Sequence, residues 1–198
     1  MGKVTRPDPV KLFIALILSD TIKYDPVVTA LREKFGNIDL KNEIKPFDHT
    51  EYYRKELGEK LWRTHIAFSS CIYPENLAEI KLLCNDLELF FSDKHTQRRR
   101  VNIDPGYLTL SKIILATTKD HGHRIYLHKG IYAEITLSYS KKNGWQALPW
   151  TYPDYKQNWA LSFFTQLRLI YHNQKKNSCF FISINSPADK NADFIEHN

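Results

Sequence analysis

The stretch that decides the fold is residues 98–139, which read RRRVNIDPGYLTLSKIILATTKDHGHRIYLHKGIYAEITLSY. Three parts of it alternate apolar with polar residues, which predicts strands that each bury one face. The polar faces of these strands carry charged, amide and hydroxyl side chains: Arg98, Arg100, Asn102 and Asp104 in the first, Arg124, Tyr126 and His128 in the second, and Tyr132, Glu134, Thr136 and Ser138 in the third. We expect these faces to form one wall of a sheet.

The second and third strands are predicted to form a hairpin with the loop His128-Lys129-Gly130, in which Gly130 takes the left-handed conformation. The register that follows pairs side chains of matching chemistry: Leu127 with Ile131, Tyr126 with Tyr132, Ile125 with Ala133, and Arg124 with Glu134. Such cross-strand pairs contribute roughly 0.2–1 kcal/mol each. Their agreement along the whole hairpin supports this register.

Two further turns are predicted from proline and glycine. Residues 104–107, Asp-Pro-Gly-Tyr, match a turn in which proline sets the first corner and glycine accepts a positive φ at the second. Asn143-Gly144 is typical of a tight hairpin. Residues 108–118 fit either a helix or a strand, and their β-branched side chains favour a strand.

The other elements predict an α+β fold. The order strand, helix, strand, strand, helix, strand is predicted for residues 11–18, 25–35, 43–47, 61–72, 74–91 and 98–103. This βαββαβ order is typical of a ferredoxin-like core with helices on one sheet face. An added antiparallel β-hairpin region and a C-terminal helix over residues 157–173 complete the predicted architecture.

The composition is that of a soluble globular protein, with 42% hydrophobic and 25% charged residues among 198. We expect residues 1–173 to form a single α+β domain and residues 174–198 to form a C-terminal extension that is partly disordered. Residues 179–184 in this extension can pair as a strand. The net charge of +6 permits an acidic partner without requiring one.

The three cysteines, Cys71, Cys84 and Cys179, are far apart and form no CxxC pair, so no disulfide framework or zinc ribbon is predicted. This cysteine usage favours a cytoplasmic location. Cys84 shares the apolar stripe of the second helix and is expected to pack in the core. The apolar run at residues 10–18 is too short to span a bilayer, and we expect no membrane association.

The polar wall of residues 98–139 has two interpretations. In the first it is solvated, and Arg124 and Glu134 form a surface ion pair worth roughly 0–1 kcal/mol. In the second it binds an anion, because arginine is a bidentate donor to phosphate and carboxylate. The predicted ligand-binding residues are then Arg98, Arg100, Asn102, Arg124, Tyr126 and Tyr132, with Asp104 and Glu134 as candidate catalytic groups.

Three functions are compatible with these features. The first is a site for a small anionic or phosphorylated ligand, with or without catalysis. The second is an RNA-binding module, although residues 61–72 lack the aromatic signature of RNA-recognition strands. The third is a structural or protein-interaction domain that uses residues 149–155, here called the aromatic loop, as an anchor.

The histidines near Asp120 give a weak metal signal. His121 and His123 would share a strand face, and His128 follows them, but no third ligand is evident and we predict no metal site. No motif for a serine or cysteine nucleophile is present, and no cofactor or oligomeric state is indicated.

Five segments together resemble a known family: KLFIALILSD, FDHTEYYRKELG, RRRVNIDPGYLTLSKIILATTKD, HRIYLHKGIYAEITL and LPWTYPDY. The family is the uncharacterised prokaryotic domain of unknown function 4416, and the resemblance covers residues 10–172. It implies no established activity, so it assigns no catalytic residue. The phosphate-binding pattern GxxxxGK[ST] is absent from the sequence.

Overall fold

The computed structural model describes residues 2–48 and 51–176, which form four helices and one nine-stranded sheet. The strands are β1 (Val10–Ser19), β2 (Ile38–Lys41), β3 (Lys45–Pro46), β4 (Leu61–Ile72), β5 (Val101–Leu108), β6 (Lys112–Thr117), β7 (Ile125–His128), β8 (Ile131–Ser140) and β9 (Gly144–Ala147). The helices are α1 (Tyr24–Phe35), α2 (Glu51–Leu57), α3 (Leu77–Phe90) and α4 (Asn158–Lys176). The predicted strand at residues 179–184 lies outside the described residues.

The sheet is larger than predicted, and a ferredoxin-like core is not confirmed. The strand order is β2-β4-β1-β5-β6-β8-β7, with β3 also on β4 and β9 also on β8. Every strand pair among the described residues is antiparallel. The mixed helix-and-sheet class itself is confirmed.

Strand β1 is buried on both sides, because helices cover both faces of the central sheet. Leu12, Ile14 and Leu16 belong to the core that includes residues of α1 and α3. Phe13 and Ala15, on the opposite face, belong to the core that includes residues of α4. Cys84 lies in the first of these cores, as predicted. Among the described residues, no helix combines the length and apolar character needed to cross a bilayer.

The predicted β7–β8 hairpin is confirmed at two pairs, Ile125 with Ala133 and Tyr126 with Tyr132. The loop differs, because a register shift places His128 opposite Ile131. Only Lys129 and Gly130 then make the turn, with φ values of 52° and 75°. Positive φ at both central residues is the geometry that matches the twist of a hairpin.

Other local predictions are confirmed as well. Residues 108–118 contain strand β6, and the Asn143-Gly144 hairpin joins β8 to β9. The predicted C-terminal helix is α4.

The predicted turn at residues 104–107 is wrong, because β5 continues through it. Pro105 lies opposite Ile14 on β1, and Gly106 lies opposite Leu115 on β6. A Cβ atom at Gly106 would clash with the Ile114 carbonyl oxygen and would lie 2.7 Å from the Phe13 ring. Glycine is therefore needed here for close strand approach rather than for a turn.

Replacing Gly106 with alanine is expected to destabilise the fold by about 1–3 kcal/mol, the usual range for overpacking in a core. The methyl group meets a backbone carbonyl, which cannot move without disturbing the β5–β6 pairing. Urea unfolding of Gly106→Ala measures the effect. The matched control is Gly122→Ala, where an added Cβ meets nothing within 4 Å and stability should stay within about 0.5 kcal/mol. Equal stability of the two variants would contradict this role for Gly106.

Candidate functional site

The sheet opens between β5 and β6. These strands pair only from Gly106 to Leu108, so Ile103 faces no strand neighbour on that side. Two side chains of α3 replace the neighbour: Glu88 Oε1 accepts from the Ile103 N–H at 2.6 Å, and Lys81 Nζ donates to the Ile103 carbonyl at 2.9 Å. The Ile103 N–H and carbonyl groups are therefore hydrogen-bonded even though β5 and β6 diverge at this point.

A cavity of about 270 Å³ is lined by residues of both diverging strands. Its volume is close to the lower end of the roughly 300–1,000 Å³ range of small-molecule sites. Its apolar wall includes Ile17, Phe47 and Leu115. Among the described residues, its lining holds five basic and five acidic side chains: Arg63, Lys81, Arg99, Lys119 and Arg124, and Glu56, Glu88, Asp104, Glu134 and Asp154.

One wall is a chain of ion pairs that links α2, α3 and β5. Arg99 pairs with Glu56 at 2.5 Å and with Glu88 at 2.5 Å. Lys81 pairs with Asp104 at 3.0 Å, and the Asn102 amide donates to the other Asp104 oxygen at 2.5 Å. Each charged group in this chain has a partner, so we assign the chain a structural role.

The groups in this wall also determine one another's charge. Burial alone would lower the pKa of Lys81, but the Asp104 and Glu88 carboxylates outweigh it and raise that pKa. Burial alone would raise the pKa of Asp104, but Lys81 and Arg63 outweigh it and lower that pKa. Burial dominates at Glu88 and raises its pKa despite the nearby Lys81. Lys81 and Asp104 therefore stay a charged pair at neutral pH.

The second wall is built around Arg63 of β4. Its Nε lies 2.9 Å from Asp154 Oδ2, and both side chains are 4% exposed. Its guanidinium carbon lies 5.8 Å from the Phe47 ring centre and 5.3 Å from the Tyr155 ring centre. Asp154 and Tyr155 belong to the aromatic loop, which thus packs in the core and lines the cavity as well.

Two donors in this second wall are unsatisfied. Arg63 Nη1 and Tyr155 Oη are buried and have no hydrogen-bond partner among the described residues. Burial would lower the pKa of Arg63, but Asp154 outweighs it and raises that pKa. Burial raises the pKa of Tyr155 well above its usual value. Both groups therefore keep their protons and can donate to an acceptor in the cavity.

The third wall lies where β8 meets the loop before β7. Glu134 Oε2 accepts from Arg124 Nε at 2.7 Å and lies 3.1 Å from His123 Nε2. Arg124 Nη2 also donates to the Tyr152 hydroxyl at 3.1 Å. The His123 ring stacks on Trp150 at 4.9 Å, so the aromatic loop is fastened to this wall. Glu134 Oε1 is buried without a hydrogen-bond partner in the described part of the chain.

The structure brings half of the eight predicted site residues to the cavity. The four that line it are Asn102, Asp104, Arg124 and Glu134. Arg98 and Arg100 precede β5, so strand alternation does not apply to them. Arg98 is exposed, and Arg100 Nε donates to the Phe91 carbonyl.

The other two predicted ligand residues, Tyr126 and Tyr132, do not line the cavity. Their rings pack edge to face at 5.3 Å on the β7–β8 hairpin. The predicted pairing of phenol with phenol is therefore present, although it lies away from the cavity.

Several site residues were missed because their partners are distant in sequence. Arg63 and Asp154 are the clearest example, since nothing local indicates that they meet. The sequence did carry a signal in α3. Lys81 and Glu88 lie at helical spacing on the same buried face as Leu77 and Cys84. Charged residues on an apolar helix stripe indicate a buried ion pair.

Within the described residues, no cluster of three or more histidine, cysteine, aspartate or glutamate side chains is arranged to hold a metal ion. His121 and His123 stack with ring centres 6.0 Å apart. His128 instead lies 3.3 Å from Glu79, away from both.

A family model described as "Domain of unknown function (DUF4416)" matches residues 8–171. The chain belongs to this family. The DUF4416 match runs from before β1 into α4, so it includes all the residues that line the cavity. No curated protein matches the chain, and no solved structure matches it.

The stability of the protein is expected to depend on His65, which lies near Arg63 on β4. His65 Nδ1 lies 3.1 Å from the Asn42 amide nitrogen, and the ring is fully buried. Burial, assisted by Arg63, holds its pKa well below the ordinary value of 6.5. The unfolded chain therefore takes up this proton first as the pH falls, and stability should drop below pH 6.5 by up to about 1.4 kcal/mol per pH unit.

This pH dependence is tested with His65→Phe. Urea unfolding between pH 7 and roughly pH 5 should show a smaller slope for His65→Phe than for the wild type, because the buried imidazole accounts for part of the wild-type slope. The exposed His95 provides the control, and His95→Gln should keep the wild-type slope. An unchanged slope in His65→Phe would show that His65 does not cause the loss.

Proposed function

We propose that the cavity binds a small molecule through an anionic group, a phosphate or a carboxylate, that accepts hydrogen bonds from Arg63 Nη1 and Tyr155 Oη. The observation that carries this proposal is the buried Arg63 Nη1, which has no hydrogen-bond partner among the described residues. Buried polar groups almost always have partners, and an unmet bond to a charged group costs more than a neutral one. An anionic oxygen is the acceptor that suits both donors.

The surrounding residues support this assignment. Asp154 orients Arg63 through a contact at 2.9 Å, and the Phe47 and Tyr155 rings restrict its movement. A preorganised guanidinium loses little conformational entropy when it binds an anion. Of the predicted ligand residues, Arg124 and Asn102 line the same cavity. Arg98 and Arg100, and the two hairpin tyrosines, have no place in this version of the site.

The two candidate catalytic residues are not equivalent. Asp104 has both oxygens occupied, one by Lys81 and one by Asn102. Glu134 keeps one oxygen unpartnered within the described residues. If the protein is an enzyme, Glu134 is therefore the better general base, because a base must accept a proton from its substrate. The cysteine usage of the sequence favours a ligand of the reducing cytoplasm.

The other two functions have less support. An RNA-binding sheet needs an exposed face, whereas helices pack on both faces of the central strands. In the aromatic loop Thr151, Asp154 and Tyr155 are buried, whereas Trp150 and Tyr152 are 37% and 40% exposed. The exposed Trp150 and Tyr152 already contact His123 and Arg124, which leaves less of the loop for a protein partner.

A thermal-shift screen tests the proposal. The panel contains inorganic phosphate, sugar phosphates, nucleotides and di- and tricarboxylates, each beside its uncharged analogue. We expect at least one anionic compound to raise the Tm in proportion to the logarithm of its concentration, with no rise for its analogue, because a ligand that binds only the folded state stabilises it. An unchanged Tm across the panel at millimolar concentrations would refute the proposal.

A further inference from the structure

The two oxygens of the Glu134 carboxylate are used unequally. Oε2 accepts from Arg124 Nε and lies within hydrogen-bonding distance of His123 Nε2. Oε1 is buried, has no partner in the described part of the chain, and belongs to a side chain that is 2% exposed. A buried carboxylate oxygen needs a donor, so the cavity offers an unused acceptor as well as the unused donors at Arg63 and Tyr155.

The charge balance of the lining indicates what kind of donor suits this oxygen. The formal charges of the five basic and five acidic side chains that line the cavity cancel. A ligand that brings only an anion adds an uncompensated charge to a partly buried site, which is unfavourable. A ligand that also carries a cation preserves the balance. A protonated amine would meet Glu134 Oε1 in a charge-assisted hydrogen bond, which is the stronger class.

We infer that the cavity takes a small zwitterionic ligand whose protonated amine binds Glu134 Oε1 while its anionic group binds Arg63 Nη1. The inference rests on the proposed function, because it adds a second anchor to the same site. Arg63 and Glu134 both line one cavity of about 270 Å³, so a single small molecule has the size to meet both. Amino phosphates and amino acids have this chemistry.

Titration calorimetry with matched probes tests the inference. The probes are aminoethyl, aminopropyl and aminobutyl phosphate, each compared with ethyl, propyl or butyl phosphate of the same length and with the corresponding hydroxyalkyl phosphate. We expect at least one amino compound to bind about tenfold more tightly than its alkyl counterpart, the gain typical of a charge-assisted hydrogen bond. The hydroxyalkyl compound should gain less, because it carries no charge.

Two variants locate the effect. Glu134→Gln keeps the shape of the side chain but removes its charge, so most of the amine advantage should be lost. Glu79→Gln is the control, since Glu79 pairs with His128 and Lys129 and does not line the cavity. It should keep the full advantage. If Glu134→Gln fails to fold, the comparison of amino with alkyl and hydroxyalkyl phosphates on the wild-type protein still tests the inference.

The outcomes separate the inference from the proposed function. If amino and alkyl phosphates bind the wild-type protein equally at every length, the amine site is wrong and the anion site stands. An equal gain for the hydroxyalkyl series would also overturn the amine site, since it would show that Oε1 accepts any donor. If no phosphate of any series binds, the inference fails, and the proposed function fails with it when no carboxylate of the thermal-shift panel raises the Tm either.

Discussion

Replacing Lys81 with methionine is expected to lower the free energy of unfolding by about 3–5 kcal/mol, the range seen when one partner of a buried ion pair is removed. Methionine keeps most of the apolar stem of the side chain while removing the ammonium group. The Asp104 carboxylate then loses its cation at 3.0 Å, and the Ile103 carbonyl loses its donor at 2.9 Å. Glu88 also loses a nearby positive charge at 3.8 Å.

Urea unfolding followed by circular dichroism measures the loss, with Lys41→Met as the control. Lys41 is exposed at the edge of the sheet, so its replacement should change stability by less than about 0.5 kcal/mol. Adding Asp104→Asn to Lys81→Met should recover part of the loss, because the unpaired buried charge is removed. A loss below about 1 kcal/mol in Lys81→Met would contradict the structural role of this ion-pair network.

Replacing Arg63 with lysine is expected to weaken binding of the anionic ligand by about 10- to 100-fold, which corresponds to one charged hydrogen bond. Lysine retains a positive charge for Asp154, so the buried carboxylate is not left alone. It lacks the planar fork whose Nη1 is the unused donor in the cavity. The measured effect should therefore fall on affinity more than on stability.

Calorimetric titration of the best compound from the thermal-shift screen gives this affinity. Arg168→Lys is the control, because Arg168 also lies over an aromatic ring, that of Tyr139 at 3.8 Å, but does not line the cavity. Its affinity should equal that of the wild type. Equal affinities for Arg63→Lys and the wild type would mean that the ligand is held elsewhere.

The alternation of side chains along strands correctly predicted those contacts that are made between residues close together in the sequence. The β7–β8 pairs and the contact of Arg124 with Glu134 follow from one local register. Asn102 and Asp104 share a side of β5 for the same reason. Arg98 and Arg100 do not join them, because β5 begins only at Val101 and the preceding residues are not in a strand.

The turn predicted at residues 104–107 fails for a reason that only the whole sheet reveals. Ile103 directs its backbone groups toward α3, and in a strand the residue two positions later directs its backbone to the same side. Pro105 therefore faces the side where β6 has already diverged, so its missing N–H removes no ladder bond. Pro105 acts as an edge residue, and Gly106 allows β6 to approach.

Arg63, the central residue of the proposed site, could not be predicted from local sequence patterns. Arg63 meets Asp154 across a wide separation in sequence, and the contact depends on how the aromatic loop packs against β4. No periodicity within either segment carries that information. That Arg63 Nη1 has no hydrogen-bond partner among the described residues depends on the positions of all the neighbouring donors and acceptors, which only the folded structure fixes.

The most direct measurement of the central claim is an NMR titration of the arginine guanidinium groups with the phosphate compound that gives the largest thermal shift. Arg63→Lys assigns the Arg63 signal by its disappearance. We expect that signal to shift and to saturate with the Kd obtained by calorimetry. If the Arg63 signal stays in place while only exposed arginines such as Arg6 and Arg98 respond, without saturation, the cavity is not the binding site.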